Sequence, residues 1–295
     1  MTTPADPTIK RSLVPYALYS HPWALYVIGT PIGNLGDLTL RASRILSSVP
    51  LVAAEDTRVT RRLLAHLDAH PRLLSCHEHN WKRQLPRLLE ALDEGDVALA
   101  TDAGSPAISD PGAGLVAAVA EAGHSVVTIP GVSAVTAALS VAGFPADQFQ
   151  FLGFLPRRRS NRSTTLTDAA RLGQTLVLFE SPHRLRATLT DIADALNDPP
   201  IAVCRELTKL HEEIWRGNTS DALAYFAAPR GEFTVVIGPG HPRRTGSDRQ
   251  PGRTAANGPP HTGGTPRRRQ TRARRGGRGR RLYRPPAPRR LCPVG

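Results

Sequence analysis

Ala24-Leu25-Tyr26-Val27-Ile28-Gly29-Thr30-Pro31-Ile32-Gly33-Asn34 opens on an apolar run of strand length and breaks into a loop rich in Gly and Pro. A run of this kind bounded by turn residues reads as a strand. Working outward, strand-length runs lie at Ala24–Gly29, Pro50–Ala54, Leu73–Cys76, Val97–Ala100 and Ser125–Ile129. Between them Leu38, Ala42, Ile45, Leu46 and Val49 fall at helical spacing, as do Leu63, Leu64 and Leu67. Leu85, Leu88, Leu89 and Leu92 make a third helical face, and Leu115–Ala122 a fourth. Strand and helix in alternation mean βαβ units around a mostly parallel sheet, an α/β fold.

A second series of strands is expected at Phe149–Phe154, Thr175–Phe179, Ile201–Arg205, Glu212–Trp215 and Phe233–Ile237, with helices at Val132–Ala142, Ser163–Arg171, Pro182–Leu196 and Thr219–Phe226. Ser181 before Pro182 suits a helix start, since proline at the first helical position forfeits no needed hydrogen bond. The late strands are closely spaced, which predicts antiparallel pairing and a mixed sheet. The organisation expected is a lead-in over residues 1–22, an α/β domain over 23–130, a second over 131–240, and a tail over 241–295.

Of the 295 residues, 40% are hydrophobic and 21% charged, which excludes a wholly disordered or fibrous chain. The longest nearly uncharged apolar stretch, Val132 to Phe144, is too short to span a bilayer, and no signal-peptide pattern is seen. Cys76, Cys204 and Cys292 form no close pair, which suggests a reducing cytoplasm. The net charge of +13 is unevenly held: residues 241–295 carry 16 Arg and one Asp, +15, leaving −2 for residues 1–240. Nine Pro and nine Gly accompany those arginines, so the tail cannot build a core. It reads as a nucleic-acid-binding arm, or as a solvated or out-of-frame extension.

In open α/β sheets ligands collect beyond the carboxyl ends of the strands. Three loops there are candidates. Gly29–Asn34 is one, though Pro31 breaks the dinucleotide fingerprint and a plain turn would look similar. Thr101-Asp102-Ala103-Gly104-Ser105-Pro106, continuing to Gly112, is longer and more polar than a connection needs, with Asp110 as a helix cap in the structural reading. Pro130-Gly131-Val132-Ser133-Ala134 is the third; Ser133 caps a helix, and the helix start also offers free N–H groups.

Taken in order with Glu55-Asp56-Thr57-Arg58 and Phe179-Glu180-Ser181-Pro182-His183-Arg184, these loops resemble the tetrapyrrole-methylase-like superfamily and, within it, the bacterial small-subunit ribosomal RNA ribose 2′-O-methyltransferases. The resemblance covers about Ala24 to Gly238, and Arg205–Lys209 with Glu212 and Glu213 extends it. It implies a two-domain homodimer using S-adenosylmethionine held in the cleft between domains. Pro31 would line the donor site, Asp102, Ala103, Gly104, Ser105 and Pro106 would contact the donor's methionine and ribose, and Ser133 and Ala134 would hold it from the junction. The implied target is a cytidine ribose in the decoding region of 16S ribosomal RNA, within the small subunit. The tail after Gly238 departs from the family, whose members end in a small helical segment.

A ribose hydroxyl is a poor nucleophile, so a base or a cation beside it would help. Glu55, Asp56, Glu180 and Glu206 are the carboxylates at expected strand ends, and Arg58, Arg184, Arg205 and Lys209 the cations. Glu180 and Asp56 are the base candidates, with Arg184 as the cation; each is also suited to a structural ion pair. Arg157, Arg158, Arg159 and Arg162 read as an RNA phosphate grip in an otherwise slightly acidic body, or as a solvated loop. Phe151 and Phe154 read as core. His77-Glu78-His79 lacks a third ligand, so no metal is expected. The rival functions are tetrapyrrole methylation on the same fold and non-catalytic RNA binding through the tail.

Overall fold

The computed structural model describes residues 22–109 and 112–239. The lead-in up to residue 21, Asp110 with its helix-capping role, and the basic tail lie outside the described residues.

The first lobe is a five-stranded parallel sheet in the order β3-β2-β4-β1-β5. Its strands are β1 (Ala24–Ile28), β2 (Leu51–Ala54), β3 (Arg72–Ser75), β4 (Val97–Ala100) and β5 (Ser125–Ile129). The connecting helices are α1 (Leu40–Ser48), α2 (Thr57–His66), α3 (Trp81–Glu94) and α4 (Ala113–Glu121). β2 and β4 are buried at every residue because helices cover both faces, which explains their unbroken apolar runs. Ala42, Leu46, Leu63 and Leu64 of α1 and α2 pack with Ile28, Val52 and Ala98 on one face. Leu88, Leu92, Leu115 and Val119 of α3 and α4 pack with Leu25, Ala53 and Leu99 on the other.

The second lobe begins with α5 (Ala134–Ala142) and holds a mixed sheet in the order β6-β7-β10-β8-β9. Its strands are β6 (Phe149–Phe154), β7 (Thr175–Glu180), β8 (Pro200–Arg205), β9 (Glu213–Asn218) and β10 (Phe233–Ile237); α6 (Arg159–Ala170), α7 (Pro182–Leu196) and α8 (Thr219–Tyr225) complete it. β6 and β7 are parallel, whereas β10 runs antiparallel to both β7 and β8, and β9 antiparallel to β8. The antiparallel pairing expected from strand spacing is therefore present, and it brings the start of β10 to the same edge as the ends of β7 and β8.

The two faces of this sheet are covered unequally. Helices α6, α7 and α8 pack over one face through Leu166, Leu185, Leu189, Ile192 and Ala222. Among the described residues α5 is the one helix on the other, through Val135, Ala138, Leu139 and Ala142. Nine residues of helix span about 14 Å. The ends of β6, β7 and β8 beyond it face the first lobe, and Ile32 from the loop after β1 reaches into that packing. The cleft lies there.

The largest departure from the sequence-based expectation is α6, which starts at Arg159 rather than Ser163. The basic run is split by this start: Arg157 and Arg158 precede the helix, Arg158 as its N-cap, while Arg159 and Arg162 lie in its first turn.

Candidate functional site

Two backbone crossings shape the cleft. The Gly29 N–H donates to Ile129 O at 2.9 Å, and the chain after β1 then runs directly against the chain after β5. A Cβ on Gly29 would lie 2.6 Å from Gly131 N, and one on Gly131 would lie 2.5 Å from Gly29 O. These glycines serve close backbone approach to each other, not to a ligand. Thr30, buried, makes the second crossing: its N–H donates to Gly104 O at 2.8 Å, and Gly104 N–H returns to Thr30 O at 3.1 Å. The Thr30 hydroxyl lies 3.2 Å from both Thr101 O and Gly104 O. The loops after β1 and β4 are thereby stapled together.

Both walls of the cleft carry backbone that L-residues disfavour. Ala107 and Ser109, with φ of 70° and 61°, sit in the loop after β4, and Glu206 and Thr208, at 52° and 66°, in the loop after β8. Each such residue costs about 1–3 kcal/mol, and strain of this kind gathers at ligand sites.

The cleft, about 340 Å³, is lined from the first lobe by Ile32, Ala103, Gly104, Ser105, Ile108 and Ser109. From the second come Ser133, Ala134, Phe154, Phe179, Glu180 and Ser181, with Cys204, Leu207, Glu232 and the start of β10, Phe233 and Thr234. A chamber of this size, apolar with a few polar groups, fits a small molecule. Of the sequence-based donor residues, Ala103, Gly104, Ser105, Ser133 and Ala134 therefore stand together. Pro31, Asp102 and Pro106 adjoin the lining rather than form it. Asp102 turns to the neighbouring strand end, where its carboxylate accepts from Asp56 N–H at 3.1 Å. Ser133 precedes α5 without a side-chain cap, contrary to the capping reading, so the first N–H groups of that helix are not met by its hydroxyl.

The expected catalytic set is rearranged. Asp56 caps α2, accepting from Arg58 N–H at 2.8 Å and pairing with the Arg58 guanidinium at 2.6 Å. Those hydrogen bonds hold its pKa down to about 2, which makes it a weak proton acceptor. Glu180, whose side chain has no exposed surface, is fully engaged. It accepts from Ser181 N–H at 2.8 Å and Thr188 Oγ1 at 2.6 Å, with Arg184 at 3.5 Å. Arg184 in turn donates to Leu155 O at 2.6 Å. Glu180 and Arg184 thus position the cleft wall, and these bonds weigh against Glu180 and Asp56 as proton acceptors. Glu55 differs: burial, then the nearby Asp102 charge, raise its pKa, and its Oε2 is buried without a hydrogen bond.

On the opposite rim Lys209 Nζ is held between Glu206 at 2.9 Å and Glu232 at 2.8 Å. Its stem crosses the first loop so closely that a Cβ on Gly33 would collide with Lys209 Cγ. The Cys204 thiol is pushed up to about 11 by burial and stays neutral.

The arginine cluster divides. Arg162 is buried, ion-paired with Asp191 of α7, and donates to Pro156 O and Arg157 O at 3.3 and 3.1 Å. It is a structural group and is removed from the phosphate grip. Arg159 bridges Asp191 and Asp194 at 3.0 and 2.8 Å while keeping most of its side chain exposed. Arg157 and Arg158 remain exposed.

Ile32, Ile108, Phe179 and Glu232–Thr234 were not singled out as site residues from the sequence, and Phe154, read there as core, is instead 56% exposed on the cleft wall. The antiparallel direction of β10 was the signal that its start belongs to this edge; a bulge in β6, which no local pattern shows, turns Phe154 outward. Among the described residues no three His, Cys, Asp or Glu side chains gather to hold a metal, and no helix is long and apolar enough to cross a membrane.

Residues 24–223 match the family model of tetrapyrrole (corrin/porphyrin) methylases. The chain is 45% identical to a ribosomal RNA small subunit methyltransferase I of Thermotoga maritima, over 72% of this chain and 97% of that one. It is 47% identical to the protein of that name from Synechocystis, over 72% and 78%. Among solved structures it is similar to a cobalt precorrin-4 methyltransferase, with TM-score 0.55, 22% identity, and 73% and 94% of the two chains covered. A uroporphyrin-III C-methyltransferase from Thermus thermophilus, complexed with S-adenosylhomocysteine, superposes with TM-score 0.54 at 21% identity over 73% and 97%.

Proposed function

We infer the function from the premise that this chain belongs to the tetrapyrrole methylase family, and within it to the ribosomal RNA small subunit methyltransferase I proteins. We propose that it transfers a methyl group from S-adenosylmethionine to a cytidine ribose 2′-oxygen in the decoding region of 16S ribosomal RNA. The observation that carries this reading is the shared cleft, in which turns from both lobes surround one small-molecule chamber.

The residues present fit the donor. Uncapped N–H groups at the start of α5, next to Ser133 and Ala134, suit a carboxylate. Ile32, Phe179 and Leu207 supply apolar wall, and the Gly104 loop, fixed by Thr30, supplies backbone polar groups. Ser105 adds a hydroxyl to that wall, and Pro31, Asp102 and Pro106 adjoin it. When bound, the sulfonium supplies an activated methyl group. The protein's own part is alignment, worth up to about 7–11 kcal/mol of barrier when two reactants are held in register. Glu55, just past the end of β2 and outside the chamber's lining, is the carboxylate we assign to accept the hydroxyl proton, on its raised pKa and unbonded oxygen. General-base help of this kind is worth about 10²- to 10⁴-fold. Arg157 and Arg158, with Arg159 at their flank, offer cations to RNA phosphates.

The test incubates the protein with labelled donor and small ribosomal subunits lacking the modification, then maps 2′-O-methyl marks. The expected result is one marked cytidine in the decoding region. Label on a precorrin and none on RNA, or RNA binding with no heat of donor binding, would replace this function with one of its rivals. The same reading expects a cytoplasmic homodimer, which sedimentation and fractionation check.

A further inference from the structure

We propose that Phe154 is the platform on which the base of the target nucleotide stacks while its ribose faces the methyl donor; this rests on the RNA-methylating function above. β6 reads Phe149-Gln150-Phe151-Leu152-Gly153-Phe154. In a regular strand alternate residues share a face. Phe154 would then join Gln150 and Leu152, and Leu152 packs toward the helical core of the second lobe. The pairing with β7 breaks that alternation. Phe151 stands opposite Val177 and Phe154 opposite Phe179, so three steps of β6 match two of β7. The extra residue falls at Leu152–Gly153, and Gly153 adopts φ 60°, the left-handed region where glycine is at ease. A bulge of this kind re-aims a side chain. It turns Phe154 onto the face of Phe151, and both rings meet Phe179 edge-on, at 4.9 and 5.8 Å between centroids.

The outcome is a phenylalanine braced from behind and 56% exposed on the cleft wall. Ile108, 48% exposed, lines the same cleft from the first lobe. Gly153 comes so near that lobe that a Cβ on it would lie 3.3 Å from Ser109 Oγ. From Phe154 the chain runs through Leu155 and Pro156, whose carbonyls are tied down by Arg184 and Arg162, to the exposed Arg157 and Arg158. An aromatic face beside exposed cations matches a nucleotide, whose base stacks while its phosphates pair. A lipid or an apolar peptide would use the ring and leave the arginines idle. A base inside a duplex has no free face, so the target nucleotide is one unstacked or extruded from its neighbours.

Phe154→Ala and Phe154→Trp, in the full chain, test this with two measurements. The first is methylation of small ribosomal subunits. The second is binding of short single-stranded RNA with its bases present or replaced by abasic riboses. Phe154→Ala should lower kcat/KM for subunits by about 5- to 150-fold, the range for one stacked base. It should also erase the wild-type preference for base-bearing over abasic RNA, leaving donor affinity by calorimetry unchanged; Phe154→Trp should keep both properties. Stacking is overturned if the wild-type protein shows no such preference, or if Phe154→Ala loses donor affinity, which would make the ring a seat for the donor's adenine. It is equally overturned if the substitution changes the oligomeric state in sedimentation. Wild-type protein inactive on subunits, with the preference still lost in Phe154→Ala, overturns the ribosomal RNA function and upholds the stacking.

Discussion

Glu55 and Asp56 are adjacent in sequence and opposite in chemistry. Asp56 sits at about 2 because Arg58 bonds it through both backbone and guanidinium. Its ion pair is complete above the ordinary Asp value of 3.8 and is lost only as pH falls through about 2. Asp56→Asn should therefore leave the acid limb of the pH–rate profile where it is. Glu55 is shifted the other way, so the folded protein binds its proton more readily than the unfolded chain does. Its contribution to stability is full below the ordinary value of 4.5 and declines as pH rises through the folded value. Glu55→Gln should consequently gain on the wild type in melting temperature more at pH 7 than at pH 4. The same change should lower kcat by about 10²- to 10⁴-fold if Glu55 takes the hydroxyl proton. A variant as active as wild type would remove Glu55 from the reaction. At Gly131 the constraint is space: Gly131→Ala drives a methyl into the Gly29 backbone, and thermal unfolding should show a loss of about 1–3 kcal/mol or more, with weakened donor binding.

Among the elements, the strands were the most legible, because β2, β4 and β10 are buried throughout and so read as unbroken apolar runs. The first turn of α6 was not, since Arg159-Ser160-Asn161-Arg162 has no apolar spacing. What orders it is an acidic partner on another helix, Asp191 of α7, invisible to local periodicity. The bulge in β6 was hidden likewise, because only the pairing with β7 reveals it. The two arginine types should part under mutation. Arg162→Ala takes the buried partner from Asp191 and leaves it only the largely exposed Arg159, a loss of up to about 3–5 kcal/mol in chemical denaturation. Arg157→Ala with Arg158→Ala should leave stability unchanged. If both side chains meet RNA phosphates, the log–log salt slope of binding to single-stranded RNA falls by about 1.4, two contacts at 0.7 each. Equal salt slopes in the double variant and wild type would leave the grip without members.

At the scale of the whole molecule, charge and site are held by different parts of the chain. The cleft is built entirely within residues 32–234, in a body carrying a net charge of −2, whereas residues 241–295 carry +15. A body of that charge gains little long-range attraction to RNA from its own field, so recognition there depends on short-range contacts in and beside the cleft. Removing residues 240–295 should therefore separate two quantities that are joined in the full chain. Donor binding by calorimetry and kcat on small subunits should survive, since the cleft residues and their staples all remain. Affinity for RNA of any sequence at low salt should collapse, the salt slope falling by up to about 10 if all fifteen excess charges meet phosphates. KM for the subunit should rise accordingly and converge with that of the full chain as salt is raised, because screening abolishes the tail's advantage. A truncated chain with the salt slope of the full one would show that the arginines of residues 241–295 meet no phosphate. A truncated chain that is folded but gives no heat with the donor would show that the cleft is incomplete without them.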